Sequence, residues 1–272
     1  MNTLPPLREV IETYELGAKK SLGQHFLLDL NITDKIARAA SITSGDQVLE
    51  IGPGPGGLTR ALLGAGAHVT AIERDTRCIE ALNDVALAFD GALTIIEADA
   101  LSADEYALLH NKLPVKIIAN LPYNISTELL IKWLKGGSSL WSLMALMFQK
   151  EVADRILATP GSKTYGRLSV MAQAASNPRR AFDLPARAFT PPPKVDSTVV
   201  IFEPPTEPVG NLQTLEKITA AAFGQRRKML RSSLKTLLAE KLGPMLEAAD
   251  IKETMRAEEV TVAQFQTLAT LL

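Results

Sequence analysis

The sequence predicts a Rossmann-like α/β fold, with a mostly parallel sheet and an antiparallel edge, followed by a small all-α C-terminal domain. Three observations support this prediction. Short apolar runs alternate with helical patterns between residues 47 and 158. A glycine-rich turn follows the first of those runs, and a proline-rich stretch precedes a region of purely helical periodicity. Strands that alternate with helices are typical of a doubly wound parallel sheet.

The elements of the predicted sheet follow one another in a regular order. Each strand is a short apolar run, and each helix repeats apolar residues every three or four positions. The strands are expected at residues 47–51, 67–72, 93–96, 115–119 and 143–148. The helices between and after them are expected at residues 58–63, 76–88, 126–134 and 150–158, with Ser126 or Thr127 as the cap of the third.

The pattern changes after residue 158. A helix is expected at 166–175, and two strands at 180–184 and 197–202 would close the sheet with an antiparallel edge. The segment 203–208 contains three prolines and predicts a stiff linker. Further helices are expected at residues 212–222, 228–242 and 262–272. We therefore predict two domains, 1–205 and 206–272.

Composition narrows the function classes. The chain has 272 residues, 46% of them hydrophobic, which suffices for one large and one small domain. Its single cysteine, Cys78, excludes an internal disulfide framework and a cysteine-rich zinc site, and no metal site is predicted. The sequence has no run of 18 uncharged apolar residues and no signal-peptide pattern. We therefore expect a cytoplasmic location and no membrane partner.

Charge is distributed unevenly along a chain whose net charge is only -1. This balance argues against a globally basic nucleic-acid binder, but local basic clusters can still hold phosphates. One cluster is the Lys19-Lys20 pair. A second, within residues 179–194, combines four cations with one acid: Arg179, Arg180, Arg187, Lys194 and Asp183. A third lies in a stretch without acids, residues 218–239, and contains Arg226, Arg227, Lys228, Arg231 and Lys235.

The glycine-rich turn at residues 52–57, Gly-Pro-Gly-Pro-Gly-Gly, connects a strand to a helix. Gly52, Gly54 and Gly57 match the dinucleotide fingerprint. Pyrophosphate binding, however, needs backbone donors, and Pro55 has no N–H. S-adenosylmethionine carries no phosphate and does not need those donors. The turn therefore favours S-adenosylmethionine over a nicotinamide dinucleotide, while a tight connection without a ligand is the structural alternative.

Two acidic residues follow the next two strands. Glu73 is placed to accept hydrogen bonds from both ribose hydroxyls of a nucleoside cofactor. Asp99 is placed to accept from the amino group of the cofactor's adenine. Each residue alone could be a solvated loop acid. Their placement at successive strand ends favours cofactor binding.

The tetrapeptide Asn120-Leu121-Pro122-Tyr123 follows the fourth strand and is the candidate catalytic segment. The Asn120 side-chain oxygen and the Leu121 carbonyl can accept the two N–H groups of an adenine amine and direct its lone pair toward a sulfonium methyl. Pro122 stiffens the loop, and Tyr123 offers a stacking surface. No general base is evident, so positioning and electrostatics would supply most of the rate. A loop cap at Asn120 and a core tyrosine are the structural alternative.

With these motifs the chain resembles the ribosomal RNA adenine dimethyltransferase family, and within it the bacterial small-subunit type linked to kasugamycin sensitivity. The resemblance covers nearly the whole chain. It includes SLGQHFL at 21–27, residues 48–57, Glu73, EADA at 97–100, NLPY at 120–123, FQKEVA at 148–153 and TPPPKVDSTVV at 190–200. The first and last of these segments are the most specific to the family.

The resemblance implies a class I methyltransferase domain at 1–205, with an N-terminal segment that covers the cofactor, and a helical RNA-binding domain at 206–272. Many family members have asparagine where this chain has His25. The cofactor contacts that the resemblance implies are His25, Leu27, Gly52, Gly54, Glu73, Asp99 and Asn120. The candidates for contacts with RNA phosphates are Arg226, Arg227, Lys228 and Arg231.

The implied reaction is the transfer of methyl groups from S-adenosylmethionine to N6 of two adjacent adenines in the 3′-terminal hairpin of small-subunit (16S) rRNA. Each adenine would be methylated twice, in a pre-30S particle and during small-subunit maturation. We expect a monomer. The alternatives are a large-subunit rRNA dimethyltransferase of the macrolide-resistance type, a nicotinamide oxidoreductase and a non-catalytic ribosome assembly factor that binds RNA.

Overall fold

The computed structural model describes residues 4–17, 24–206 and 210–272. The Lys19-Lys20 pair, residues 21–23 of the SLGQHFL segment and residues 207–208 of the predicted linker lie outside the described residues. The chain forms two compact units. The first comprises Met1–Lys150 with Arg179–Phe202, and the second comprises Glu151–Pro178 with Glu203–Leu272.

This division differs from the predicted boundary in one segment. The change at Glu203 lies close to the predicted start of the second domain, but Glu151–Pro178 also groups with the C-terminal helices. The helix at 167–175 contacts the helices that begin at Leu212 and Val262, which accounts for this grouping. A helix begins at Lys150 directly after a strand that ends at Gln149, so no linker marks that boundary in the sequence.

The first unit is built around a seven-stranded sheet. The strands of the described chain are β1 (Phe26–Leu27), β2 (Gln47–Ile51), β3 (His68–Glu73), β4 (Leu93–Glu97), β5 (Val115–Asn120), β6 (Trp141–Gln149), β7 (Asn177–Leu184), β8 (Phe189–Thr190) and β9 (Ser197–Glu203). The sheet order is β4-β3-β2-β5-β6-β9-β7, and β1 pairs with β8 in a separate antiparallel ribbon. The five neighbouring strands β4-β3-β2-β5-β6 run parallel to one another, while β9 runs antiparallel to β6. The predicted fold class is confirmed.

Both faces of this sheet are covered. Neighbouring residues of a strand point to opposite faces, yet both members of the pairs Val48 and Leu49, and Ile117 and Ile118, are at most 1% exposed. Continuous burial of this kind is expected when helices cover a parallel sheet on both sides. Because β2 lies between β3 and β5, the chain reverses its direction of sheet growth there. Ligands of open α/β sheets bind beyond the carboxyl ends of the strands at such a point.

Six helices accompany the sheet: α1 (Leu7–Thr13), α2 (Leu30–Ala39), α3 (Gly57–Gly64), α4 (Thr76–Ala88), α5 (Glu105–Leu109) and α6 (Ser126–Gly136). The Asp29 and Asp75 side chains cap α2 and α4 by accepting N–H groups of their first turns. The predicted cap of α6 was wrong. Its cap residue is Ile125, and the Ser126 hydroxyl donates to the Tyr123 carbonyl, which fixes the loop before the helix.

The second unit is helical. It contains α7 (Lys150–Ile156), α8 (Arg167–Ala175), α9 (Leu212–Gly224), α10 (Leu230–Ser233), α11 (Lys235–Leu238), α12 (Leu242–Ala248) and α13 (Val262–Leu271). The Phe223 ring lies 6.1 Å from the Tyr165 ring and 5.7 Å from the Phe265 ring. The Tyr165 hydroxyl donates to the Val260 carbonyl at 2.9 Å, which joins the segment before α13 to the segment before α8.

The single helix predicted at 228–242 was wrong. The N–H of Leu230 donates to the Met255 carbonyl and that of Arg231 to the Glu253 carbonyl, so these groups bond outside any helix. Ala239 has a φ of 47°, which interrupts the segment again after α11. Partners 25 and 22 residues away thus override a local helical pattern. None of the helices in the described ranges combines the length and hydrophobicity needed to cross a bilayer.

Candidate active site

A cleft opens at the carboxyl ends of β2, β3, β4 and β5 in the first unit. It lies at the point where the direction of sheet growth reverses. The residues of the cleft include every candidate for cofactor binding and catalysis, namely His25, Leu27, Gly52, Gly54, Glu73, Asp99, Asn120, Leu121, Pro122 and Tyr123. Loops that follow four parallel strands bring them together, with β1 closing one side.

Backbone N–H groups of the glycine turn, residues 52–57, donate hydrogen bonds to acceptors within the protein. The N–H of Gly52 donates to the Ile72 carbonyl at 2.9 Å, and the N–H of Gly56 donates to the Pro53 carbonyl at 3.0 Å. The N–H of Gly54 donates to Glu73 Oε2 at 3.0 Å. The two prolines have no N–H. Residues 52–56 therefore offer no free donor to a pyrophosphate, which is the structural reason that a dinucleotide does not fit this turn.

Two glycines of the turn permit the β1 segment to approach closely. A Cβ on Gly57 would lie 2.6 Å from the Leu27 carbonyl oxygen, and one on Gly54 would lie 3.0 Å from the Phe26 ring. Gly54 also has a φ of 55°, which side-chain-bearing residues rarely adopt. The glycines thus allow residues 25–27 to lie over the turn as a wall of the cleft.

Glu73 is a buried carboxylate at the end of β3. Its Oε1 accepts the N–H groups of Arg74 and Asp75, both at 2.8 Å, and its Oε2 accepts the N–H of Gly54. Burial raises the pKa of Glu73, and these three N–H donors oppose the shift. Because Oε2 accepts only one of these bonds, it retains acceptor capacity for a ligand hydroxyl.

Asp99, after β4, holds its own loop and one exposed cation. Its Oδ1 accepts the Leu101 N–H at 3.0 Å, and its Oδ2 lies 3.1 Å from Arg74 Nη1. The side chains of Arg74 and Asp99 are 67% and 37% exposed, so this ion pair is screened by water and weak. An amino group inside the cleft can replace the guanidinium at Oδ2 at little cost.

Glu50 is a cleft residue that the sequence analysis missed. It lies in β2 directly below the glycine turn, is 1% exposed, and its Oε2 has no hydrogen-bond partner among the described residues. Burial raises the pKa of Glu50 to about 8, and the neighbouring Glu73 adds to the shift. The signal in the sequence was an acid between Leu49 and Ile51 in an otherwise apolar strand.

The Asn120 side chain has a defined orientation. Its Nδ2 donates to the His25 carbonyl oxygen at 2.9 Å. A carbonyl can only accept a hydrogen bond, so the amide nitrogen of Asn120 must face it, and the positions of Nδ2 and Oδ1 are fixed. The Asn120 oxygen, Oδ1, has no partner in the described part of the chain, and Asn120 lines the cleft. The loop therefore presents a free acceptor whose direction is set by β1.

The rest of the loop leaves a second acceptor free. The Pro122 carbonyl accepts the Ile125 N–H at 3.2 Å, and the Tyr123 carbonyl accepts the Ser126 hydroxyl at 3.1 Å. The Leu121 carbonyl accepts no hydrogen bond within the described ranges. Residues 120–123, which we call the acceptor loop, thus combine two unbonded oxygens on adjacent residues with a ring at the end of the loop.

The Tyr123 ring is held on two sides. Its hydroxyl lies 2.6 Å from the Ser197 Oγ, and its ring stacks on His25 with centroids 5.4 Å apart and planes at 30°. His25 Nδ1 lies 2.8 Å from the Pro191 carbonyl, which can only accept, so Nδ1 carries a proton. His25, Pro191 and Ser197 belong to the two family-specific segments, SLGQHFL and TPPPKVDSTVV. The structure joins them around the acceptor loop through the β1–β8 ribbon.

The four predicted RNA contacts lie in the second unit. Arg227, Lys228 and Arg231 are exposed. Arg226 is bound within the unit, because its Nε donates to Glu258 at 2.9 Å and its Nη2 to the Lys163 carbonyl at 2.7 Å. Its charge is thus partly neutralised by Glu258, in contrast to its three neighbours.

Comparison with known proteins finds relatives that match nearly the whole chain. A family model described as ribosomal RNA adenine dimethylase matches residues 16–272. A protein of Phenylobacterium zucineum named ribosomal RNA small subunit methyltransferase A is 57% identical over 99% of this chain and 93% of its own length. The protein of the same name from Ruegeria sp. is 53% identical over 99% and 97%.

Solved structures are similar over most of the chain. A dimethyladenosine transferase from Plasmodium falciparum has a TM-score of 0.74 and 28% identity, covering 90% of this chain and 96% of that one. The 23S rRNA methyltransferase ErmE has a TM-score of 0.67 and 25% identity, covering 90% and 98%.

The sheet order, the glycine turn and the acceptor loop define a class I methyltransferase, which uses S-adenosylmethionine as methyl donor. The chain belongs to the ribosomal RNA adenine dimethylase family. The resemblance stated from the sequence is confirmed, and neither a nicotinamide oxidoreductase nor a purely structural factor is favoured. The enzyme is an S-adenosylmethionine-dependent rRNA adenine dimethyltransferase.

Proposed function

We propose that this enzyme methylates N6 of two adjacent adenines in the 3′-terminal hairpin of small-subunit rRNA and forms N6,N6-dimethyladenine at both. The observation that supports this proposal most directly is the pair of unbonded acceptors, Asn120 Oδ1 and the Leu121 carbonyl. The choice of subunit rests on the relatives named for the small subunit, which are 50–57% identical, whereas ErmE, named for 23S rRNA, is 25% identical.

The cleft fits S-adenosylmethionine through its hydrogen-bond acceptors and its shape. The glycine turn has no free donor for a phosphate, and S-adenosylmethionine carries none. Glu73 Oε2 can accept a hydrogen bond from a ribose hydroxyl, and Asp99 Oδ2 can accept one from the adenine amino group. Leu27 lies over the turn and excludes water from that side. When bound, the cofactor supplies an electrophilic methyl group on a sulfonium.

The acceptor loop activates the target amine. An adenine amine is a poor nucleophile because its lone pair is delocalised into the ring. Asn120 Oδ1 and the Leu121 carbonyl accept its two N–H groups and favour a pyramidal nitrogen whose lone pair is directed at the methyl carbon. The N–C bond forms as the C–S bond breaks, and the proton leaves to water. Positioning and oriented dipoles, rather than a general base, lower the barrier.

A second methylation needs a pocket that accepts a bulkier amine with one N–H. Tyr123 lines the cleft, while Phe189 is 2% exposed and belongs to the apolar core. We assign the space for rotation of the monomethylated amine to the Tyr123 side. Tyr123→Ala should change the ratio of dimethyladenine to monomethyladenine in nucleoside analysis by mass spectrometry. An unchanged ratio would contradict this assignment.

The second unit contributes RNA phosphate contacts through Arg227, Lys228 and Arg231. Each is exposed, and neutralising one phosphate contact lowers the salt dependence of binding. Arg226 anchors the start of this segment to Glu258 and Lys163. We further propose that the substrate is a pre-30S particle, that the enzyme acts in the cytoplasm, and that it acts as a monomer.

The decisive experiment is mass spectrometry of rRNA from unmethylated small subunits after incubation with isotopically labelled S-adenosylmethionine. The wild-type protein should place label on N6 of two adjacent adenines near the 3′ end. Asn120→Ala should lower the initial rate of labelling by about 10²- to 10³-fold, whereas the control Asn83→Ala, at an exposed position of α4 outside the cleft, should not change it. Unlabelled small subunits, with label on large subunits that are incubated in parallel, would overturn the proposal.

A further inference from the structure

A second, open cavity of the first unit lies beside the β1–β8 ribbon. The start of α1, the β1–α2 connection, α3 and the segment before β8 form it. Three arginines from distant parts of the sequence meet there: Arg8, Arg60 and Arg187. We call this cavity the arginine pocket. The basic cluster at 179–194 is thereby divided, because Arg180 pairs with Asp183 while Arg187 joins Arg8 and Arg60.

The charge of the arginine pocket is positive. Its three arginines face one carboxylate, Asp29, which gives a formal charge of 3 − 1 = +2. Asp29 Oδ1 already accepts the backbone and side-chain N–H groups of Asn31. Among the described residues, no ion pair joins any of the three arginines to an acid. The pocket therefore attracts anions.

Arg60 shows that this charge is partly withdrawn from water. Its Nη1 donates to the Pro5 carbonyl at 2.6 Å, but its Nε is buried and has no partner in the described chain. Burial lowers the pKa of Arg60. A desolvated cation without a counter-charge is unfavourable, and an anion that enters the pocket offsets this cost.

The walls of the pocket are apolar, which distinguishes a nucleotide from a bare inorganic anion. Leu7, Leu28 and Ile32 contribute to the lining, and Leu30 does so with 48% of its surface exposed. A nucleobase can lie against such side chains while its phosphate meets the guanidinium groups.

The location favours an RNA nucleotide close to the target adenine. His25, Phe26 and Leu27 line the methyl-transfer cleft, and Leu28 to Leu30 line the arginine pocket. Leu27 and Leu28 are consecutive residues, so the cleft and the arginine pocket lie on either side of one short segment. A base extruded into the cleft stays covalently joined to its flanking nucleotides, which must therefore contact surface close to the cleft.

We propose that the arginine pocket binds a nucleotide that flanks the target adenine, with its phosphate on Arg8, Arg60 and Arg187 and its base against Leu28 and Leu30. This inference rests on the proposed RNA substrate and adds a contact from the first unit to those of the second. It also gives Arg187 a function that its position in the sequence does not indicate.

The test compares Arg187→Ala and the double variant Arg8→Ala/Arg187→Ala with the control Arg38→Ala, which removes an exposed arginine of α2 outside the pocket. The slope of log affinity for the small subunit against log salt should decrease by about 0.7 for each lost phosphate contact. KM for the particle should rise several-fold, with affinity for S-adenosylmethionine unchanged. The control should match the wild type.

A second variant tests the apolar wall. Leu30→Asp changes a half-exposed residue and should weaken particle binding without lowering thermal stability. Normal salt slopes and normal KM in the arginine variants would overturn the inference. So would stabilisation of the wild type alone by inorganic phosphate together with an unchanged RNA slope, because the pocket would then bind a small free anion.

Failure of the proposed function gives a different result. In that case the wild-type protein would not label unmethylated small subunits. Because the salt slope is measured by binding, it still reports on the pocket when no methyl transfer occurs.

Discussion

The methyl-transfer cleft has two halves, the glycine turn with Glu73 and the acceptor loop. They differ in whether their hydrogen-bonding groups are already bonded within the protein. In the glycine turn, the N–H groups of Gly52, Gly54 and Gly56 and both Glu73 oxygens are bonded within the protein. In the acceptor loop, Asn120 Oδ1 and the Leu121 carbonyl accept no hydrogen bond from the described residues. The donors of the first half are occupied before any ligand arrives, whereas the second half presents two acceptors that the proposed amine would fill.

This difference assigns a task to each half. The glycine turn selects its ligand by shape, because its donors are already occupied. The acceptor loop selects by chemistry, since a base without an amino group would leave two carbonyl-type oxygens unsatisfied, at about 1–3 kcal/mol each when buried. Glu50 departs from this pattern, as an unbonded carboxyl oxygen beneath the glycine turn.

The largest effect is expected in the acceptor loop. Asn120→Ala removes an oriented acceptor that acts on the transition state, so kcat should fall by about 10²- to 10³-fold. Affinity for S-adenosylmethionine, measured by calorimetry, should change much less. A fall in cofactor affinity as large as the fall in kcat would erase the distinction between the halves.

Glu50→Gln tests the exception in the glycine-turn half. The folded state keeps the Glu50 proton up to about pH 8, while the unfolded chain loses it near 4.5. Between these values the wild type therefore loses stability as pH rises, by up to about 1.4 kcal/mol per pH unit. Glutamine cannot ionise and should remove this slope.

Urea unfolding from pH 5 to pH 8 measures this dependence. Glu97→Gln is the control, since Glu97 is exposed at the end of β4. Parallel stability curves for the wild type and Glu50→Gln would show that Glu50 titrates normally in the folded protein.

Two glycine-to-alanine substitutions in the same helix, α3, test the shape of the glycine turn. Gly57→Ala places a Cβ 2.6 Å from the Leu27 carbonyl oxygen and should destabilise the protein by about 1–3 kcal/mol. Gly64→Ala, at the other end of α3, meets nothing within 4 Å and should be neutral or stabilising by up to about 1 kcal/mol. Equal melting temperatures for the two variants would contradict the close approach of β1.

The smallest effect concerns the orientation of Tyr123. Ser197→Ala and Tyr123→Phe each remove one partner of the 2.6 Å hydrogen bond and should each cost about 1 kcal/mol, which is about fivefold in KM for the particle. The double variant should cost little more than either single variant, because the interaction is lost only once. Additive effects would show that the hydroxyls act independently.

The sequence predicted those parts of the molecule that local patterns determine. The strand ends, the glycine turn and the loop at Asn120 are each encoded by a few consecutive residues, and their order required them to meet at one edge of a parallel sheet. The antiparallel edge was predicted for the same reason, because β9 is a continuous apolar run.

Other features depend on contacts between distant residues and left no local trace. The strands β1 and β8 have two residues each and pair across more than 160 positions. The helix predicted at 228–242 is broken by hydrogen bonds to Glu253 and Met255. Arg226 and Arg227 are equivalent in the sequence, but only Arg226 donates to Glu258, and the arginine pocket combines residues from three separate segments.

The β1–β8 ribbon has a consequence for biosynthesis. His25 aligns Asn120 only when its segment is paired with Phe189 and Thr190 and its ring is bound to Pro191. A chain that is still being translated cannot assemble this arrangement until codon 191 has been read and the corresponding residues have left the exit tunnel. The enzyme is therefore unable to modify rRNA while most of its own first unit is being synthesised.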